Sequence, residues 1–257
     1  MTGVVLVTSE THGEALPQAA GLSLLFAAGT RPSASDIERL LSPKTFARIS
    51  SRHRVADGSL ELLASGLTFD LQGLAEGPAC PLPPASHFFG LSAKDAGPQL
   101  EAITLLPGPH LAGGGAMLPV VKAMAVLAGE LAGELKPAAV CWHPAESWMA
   151  SDYFSRVVAA WQSGGAFPAL GLCGVDRRPD GGVETVGLTY FVGHELRVEP
   201  GIGEPPAETV KLAVRMVDHL TRHGPIRQRE VLTGPSGEGL FAEPMAGGRF
   251  VRLWRDA

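Results

Sequence analysis

The stretch that most constrains the fold is GPHLAGGGA, Gly108 to Ala116. Proline removes a backbone donor and fixes φ, and glycine loses the most freedom on ordering, so no helix or strand runs through such a segment. It divides the chain into two α+β halves, residues 1–110 and 111–257, either as separate domains or as one continuous domain.

On both sides the pattern of apolar residues changes period within short distances. Before the break, GVVLVT (Gly3 to Thr8) reads as a strand, and Leu16 to Ala28 as a buried helix interrupted by Pro17 and Gly21. SASDIERLL carries Ser35 three residues before Glu38, the spacing of a capping box, with Ile37, Leu40 and Leu41 as the first buried positions. SLELLASGLTFDL gives two strands around Ala64, Ser65 and Gly66, and AITLLPG a further one. Between them GPACPLPPA is extended and too rich in proline to be a central strand.

After the break, Val120, Val121, Met124, Leu127, Ala128 and Leu131 recur at helical spacing. Ala138 to Trp142 reads as a strand, and SDYFSRVVAAWQSGG as a helix capped by Ser151, with Phe154, Val157, Val158 and Trp161 on its buried face. Phe167–Val175, Val183–Val192 and HELRVEP follow as strands. PPAETVKLAVRMVDHLTRHGP is the clearest helix, with Val210, Ala213, Val214, Val217 and Leu220 as its stripe; REVLTG and GRFVRLWR close the chain as strands. Helices and strands mix without a strict βαβ rhythm. The expected class is therefore α+β, a mainly antiparallel mixed sheet with helices packed on it, whose second half fits a decorated ferredoxin-like sandwich.

Charge and cysteine usage narrow the function classes. The net charge is −5 over 257 residues, and RHRV and DRRPD are too short to follow a phosphate backbone, so nucleic acid is not an expected partner. Three cysteines without C-x-x-C spacing suit neither a zinc ribbon nor a disulfide scaffold. The N-terminal residues lack a basic and apolar leader pattern, and Leu111–Leu135 is too interrupted to span a membrane, so a soluble cytoplasmic protein is expected.

Three stretches together, SGLTFDLQGLAEGPACPLPPA, AAVCWHPAESWMASDYF and TVGLTYFVGHELRVEP with the helix ending MVDHLTRHG, resemble in this order the bacterial family called domain of unknown function 4261. The GL-x-x-F-x-G-x-E-L pattern is also similar, more distantly, to the suppressor-of-fused-like family. The resemblance implies a bacterial intracellular α+β protein and an interaction or immunity-type module, and carries no catalytic residue with it.

The densest collection of reactive side chains is AAVCWHPAESWMASDYF. On a strand, Cys141 and His143 share one face while Trp142 takes the other, and Glu146 approaches His143 around the Pro144 turn. Cys141, His143 and Glu146 are thus the candidate catalytic set, an imidazole and a carboxylate activating a thiolate. The alternative is a buried core cysteine at a seam between strand and helix. His219 and His223 lie four apart on a helix, but Leu220 stands where an H-E-x-x-H motif has glutamate, so no metal is assigned. Glu195 reads as a capping and pairing residue.

AGGGAMLPVVK could seat an anion at a helix start, yet it has neither the P-loop ending nor dinucleotide spacing; no cofactor is expected. GPSGEG departs from the G-x-S-x-G elbow at Glu238. The leading expectation is a non-enzymatic module with a protein partner, and the alternative is an enzyme of unassigned class working through residues 141–146.

Overall fold

The computed structural model describes residues 21–52, 54–92, 99–111, 113–234 and 237–255. The strand expected at Gly3–Thr8 and the serine of GPSGEG lie outside them. The described residues form an α+β fold of two mixed, mostly antiparallel sheets with helices packed against them.

The larger sheet is assembled around β1 (Leu22–Ala27). Helix α1 (Ala34–Leu41) follows, then β2 (Arg48–Ser51), β3 (Ser59–Ala64), β4 (Leu67–Gln72), β5 (His87–Phe89) and β6 (Leu100–Pro107). Helix α2 (Leu118–Leu135) leads into β7 (Ala139–Trp142) and β8 (Ser147–Met149). The spatial order is β2-β3-β4-β6-β1-β7-β8-β5. Helix α3 (Ser151–Gln162) and the short α4 (Ala169–Leu172) connect to the second sheet. That sheet holds β9 (Gly174–Arg177), β10 (Val183–Val186), β11 (Glu195–Val198), β12 (Glu230–Thr233), β13 (Gly239–Pro244) and β14 (Phe250–Arg255), in the order β12-β13-β14-β11-β10-β9. The turn α5 (Thr189–Val192) and helix α6 (Pro206–His223) complete it.

The central strands of the larger sheet are covered on both faces. Leu22, Leu24, Ile103, Leu105, Val140 and Trp142 face α2 and belong to the main core. Leu25, Ala102, Ala139, Cys141 and Trp148 form a second cluster on the opposite face. This two-sided burial corrects the helix expected over Leu16–Ala28. An apolar run of this length carries no period that separates a buried helix from a buried strand, and its described part pairs in register with both β6 and β7.

Elsewhere local chemistry decides. The Ser65–Gly66 turn has φ of 50° and 77°, the left-handed pair that closes a two-residue hairpin between β3 and β4. In α2 all six residues of the expected stripe are buried. The capping box of α1 sits two residues earlier than the spacing of Ser35 and Glu38 indicates. Ser33 is extended at φ −83° and ψ 165°, its Oγ accepts from Asp36 N, and the Asp36 carboxylate accepts from Ser33 N at 2.9 Å.

Ser151, expected as a cap, is the first helical residue of α3 after Ala150. The strand expected over Phe167–Val175 is broken at Gly171, φ 126°, and begins only at Gly174. The one expected over Val183–Val192 ends at Val186, where Gly187 turns the chain at φ 86° into α5. The short strands β2, β5, β8 and β13 have too few residues, or too irregular a pattern, to stand out in sequence.

An aromatic chain ties the two sheets together. Trp142 packs edge-on to Tyr190 with centroids 5.3 Å apart and lies 6.0 Å from Phe191, which meets Phe167, which meets Trp161. His87 makes a polar tie beside it: Nδ1 faces the Ala145 carbonyl at 2.9 Å and Nε2 faces Asp176 Oδ1 at 3.0 Å. A Cβ on Gly174 would come within 2.3 Å of the His87 ring, so only glycine lets β9 approach.

Replacing Ser33 with Ala is expected to cost about 1 kcal/mol, while Ser35→Ala is near neutral. Urea unfolding midpoints of the two variants measure this difference, and equal midpoints would count against the observed cap.

Candidate functional site

On the face of the larger sheet away from α2, a polar row crosses strands that are otherwise apolar. Gln72 on β4 pairs with Thr104 on β6, and Thr104 pairs with Ser23 on β1. Ser23 pairs with Cys141 on β7, beyond which the chain turns at His143. Ser23 is fully buried, and its Oγ lies 2.8 Å from both Thr104 Oγ1 and His143 Nε2. Polar groups in the centre of a sheet cost free energy unless they are satisfied, and these three satisfy one another.

Gln72, Thr104 and His143 of this row form the floor of a cleft of about 330 Å³, lined also by Cys80, Pro81–Pro84, Leu106 and Glu146. The proline-rich segment is its outer wall. After Gly73 the chain leaves β4 and returns beside β6, where Cys80 N donates to the Ala102 carbonyl at 3.0 Å. Gly73 permits the crossing: a Cβ there would lie 2.7 Å from the Ala102 oxygen and 2.9 Å from Cys80 Sγ. Arg31 fixes the loop from behind, donating to the Leu74 carbonyl at 3.0 Å and to Glu101 at 2.8 Å. The far end of the wall is held by Trp148 Nε1 donating to the Pro84 carbonyl at 3.1 Å.

Of the three residues expected to act together, two share this cleft. His143 and Glu146 line it. Cys141 lies on the same face but is fully buried in the apolar cluster with Leu25, Ala102 and Trp148. Burial pushes its thiol well above the ordinary cysteine value, which disfavours the thiolate that nucleophilic chemistry needs. The cysteine that does line the cleft is Cys80. Burial also holds His143 below the ordinary imidazole value, favouring its neutral form.

Glu146 sits in a left-handed backbone conformation, φ 48° and ψ 38°, which costs a non-glycine residue about 1–2 kcal/mol. Its carbonyl accepts from both Ser86 N and His87 N, and its carboxylate accepts from Ser86 Oγ at 2.5 Å.

The remaining sequence candidates have structural tasks. The Glu195 carboxylate is buried and accepts from Thr185 Oγ1 at 2.6 Å and from the amides of Gly187, Leu188 and Thr189 at 2.9–3.1 Å. It caps α5 from the neighbouring strand. His194 is fixed as one tautomer: Ile226 N donates to Nε2 at 3.1 Å, leaving Nδ1–H to meet the Glu195 carbonyl at 3.2 Å. His219 and His223 stack with ring centroids 4.2 Å apart, and His223 Nδ1 donates to the His219 carbonyl. Among the described residues no group of three or more potential ligands is placed to hold a metal ion. In the glycine-rich turn before α2, the Gly115 carbonyl accepts from Tyr190 OH at 2.8 Å. No helix among the described residues is long and apolar enough to cross a membrane.

A second surface feature lies on the outer face of the smaller sheet, opposite α6. Val231, Phe241 and Trp254 are cross-strand neighbours on β12, β13 and β14. Phe241 and Trp254 stack at 5.6 Å, and Val231 is 65% exposed. Arg252 lies 4.7 Å from the Trp254 ring and Arg229 5.9 Å from it. Compared with protein-family models, with curated proteins and with solved structures, the chain matches none.

Two outcomes follow from this geometry. With the protein folded, a thiol reagent should modify Cys80 while Cys141 and Cys173, both fully buried, react only on unfolding; mass spectrometry of the labelled peptides reads this directly. Stability should fall on acidification. The folded-state values of His143 and His194 lie below the ordinary 6.5, so as pH drops below about 6.5 the unfolded chain takes up protons that the folded chain resists. His194→Gln keeps a donor and an acceptor in place and should flatten the fall in thermal midpoint between about pH 7.5 and pH 5.5.

Proposed function

We propose that this chain is a non-enzymatic protein-interaction module that engages its partner through the outer face of the smaller sheet. The observation that carries this reading is the Val231–Phe241–Trp254 row. An apolar and aromatic row bordered by arginine has the composition that concentrates binding energy at protein interfaces. The row ends at β12, an edge strand whose outer backbone groups have no sheet neighbour among the described residues.

The partner surface is apolar with acidic residues beside it. Arg229 and Arg249 are exposed, each lies over an aromatic ring, and neither has a carboxylate partner among the described residues. The net charge of −5 opposes close approach of a nucleic-acid backbone, which favours a protein. The separation of Cys141 from His143 and Glu146 weighs in the same direction, because it leaves the candidate catalytic set without its nucleophile. The resemblance to the family called domain of unknown function 4261, on the residues quoted above, agrees with an interaction or immunity-type role in a bacterial cell.

A photo-crosslinking residue in place of Val231 tests the reading in the native host. It should give a discrete adduct with one other protein, reduced at least about fivefold by Arg229→Glu, consistent with loss of a charge pair of about 1 kcal/mol. The same residue in place of the 99% exposed Ile202 should give none. Absence of an adduct at position 231 in folded protein would remove the basis for this face as the interface.

A further inference from the structure

The cleft beneath the proline-rich wall has no part in that interface, and its chemistry points to a different kind of occupant. Of the described residues that line it, Glu146 alone carries a formal charge. Its carboxylate accepts from a neutral hydroxyl, Ser86 Oγ, and has no cationic partner among the described residues. The half-buried Glu146 side chain borders a concave site, so a cation seated there would meet the carboxylate together with the other lining groups.

Two further polar side chains border the cleft. His143 is held by Ser23 through Nε2, which leaves Nδ1 as its uncommitted ring atom. The Gln72 amide makes no hydrogen bond to the described residues, although its backbone is fixed in register with Thr104. Pro81–Pro84 form an apolar wall, and Leu106, two residues along β6 from Thr104, adds hydrocarbon to the floor. One end of the cleft is therefore anionic, its floor offers neutral hydrogen-bonding groups, and its side is hydrocarbon. Glu146 is left-handed because it is the C-cap of the His143–Ala145 turn, which fixes where its side chain starts at the end of the cleft.

We propose that this cleft binds a small organic cation, an ammonium or guanidinium group carried on a short apolar body. The cation meets the Glu146 carboxylate, the Gln72 and His143 polar atoms receive or donate further hydrogen bonds, and the apolar body lies along the proline wall. The volume of about 330 Å³ is at the small end of the range for ligand pockets, which suits a metabolite-sized molecule. An inorganic cation is a poor fit, because among the described lining residues a single carboxylate is the only charged oxygen donor and hard cations require several.

The test is a calorimetric titration of the full chain with n-pentylammonium, agmatine and pentanoate, followed by amide and side-chain NMR shifts. Both cations should bind with millimolar or tighter affinity, shifting the Gln72 side-chain signals, and pentanoate should not bind. Glu146→Gln can still accept from Ser86 but has lost the charge, and should weaken both cations at least about tenfold. Leu106→Trp keeps the charge and fills the cleft, and should abolish binding. Unchanged thermal midpoints would establish that both variants are folded. Failure of both cations to saturate, equal binding of pentanoate, or affinity unaltered by Glu146→Gln would overturn the proposal. Binding retained in Leu106→Trp would place the cation outside the cleft and overturn it equally.

Discussion

The burial of β6, β1 and β7 on both faces is the constraint on which the rest of the molecule depends. A sheet covered by helices on one side only can leave its other face polar and wet. Here the second face carries its own apolar cluster, Leu25, Ala102, Ala139, Cys141 and Trp148, with Cys80, Phe88, Leu91 and Leu100 packed against it. The proline-rich segment that follows Cys80 lies over the neighbouring polar row, and because it cannot hydrogen-bond as a full strand it stands off from that row and leaves a cleft. The polar floor and the cleft above it therefore share one cover. Placing Ser23 and Thr104 under solvent-poor cover is tolerable only because each hydroxyl finds the other and His143 completes the set.

The same economy of contact operates between the sheets. Trp142 ends the last central strand and begins the aromatic chain through Tyr190, Phe191 and Phe167, so the core of the larger sheet continues into the smaller one. Burial raises the Tyr190 hydroxyl to about 12, which keeps it a neutral donor to the Gly115 carbonyl. Glu195 does for the second sheet what Ser33 and Asp36 do for α1. It gathers backbone donors that a short turn cannot satisfy by itself, and so permits β10 to end abruptly.

Much of this was legible in the sequence where periodicity or turn chemistry was unambiguous. The stripe of α2, the Ser65–Gly66 hairpin and the opposed facing of Cys141 and Trp142 follow from spacing alone. Ser23 was hidden because LSLLFA is too short and too apolar to declare its period, and reading it as a helix removes the serine from any sheet face. The site as a whole was hidden for a more general reason. Gln72, Thr104, Ser23 and His143 are brought together by strand order and register, and neither is written in local sequence. That His143 and Glu146 border one cleft was legible because both stand in one turn, although their side chains bond to Ser23 and Ser86 and not to each other. That Cys80 joins them and Cys141 does not depends on where the chain crosses at Gly73.

The wall of the cleft contains Pro81, Pro83 and Pro84, whose rings fix φ before the protein folds. A wall made of mobile residues would have to be ordered anew each time a guest arrived, and that loss would be subtracted from affinity. Here the stiffening has already happened during chain synthesis, in the covalent structure of three residues. The cleft accordingly behaves as a mould more than as a hand. A guest bound there as proposed would meet three backbone φ angles already fixed, and would have less of the wall to order than in a cleft lined by freely turning residues.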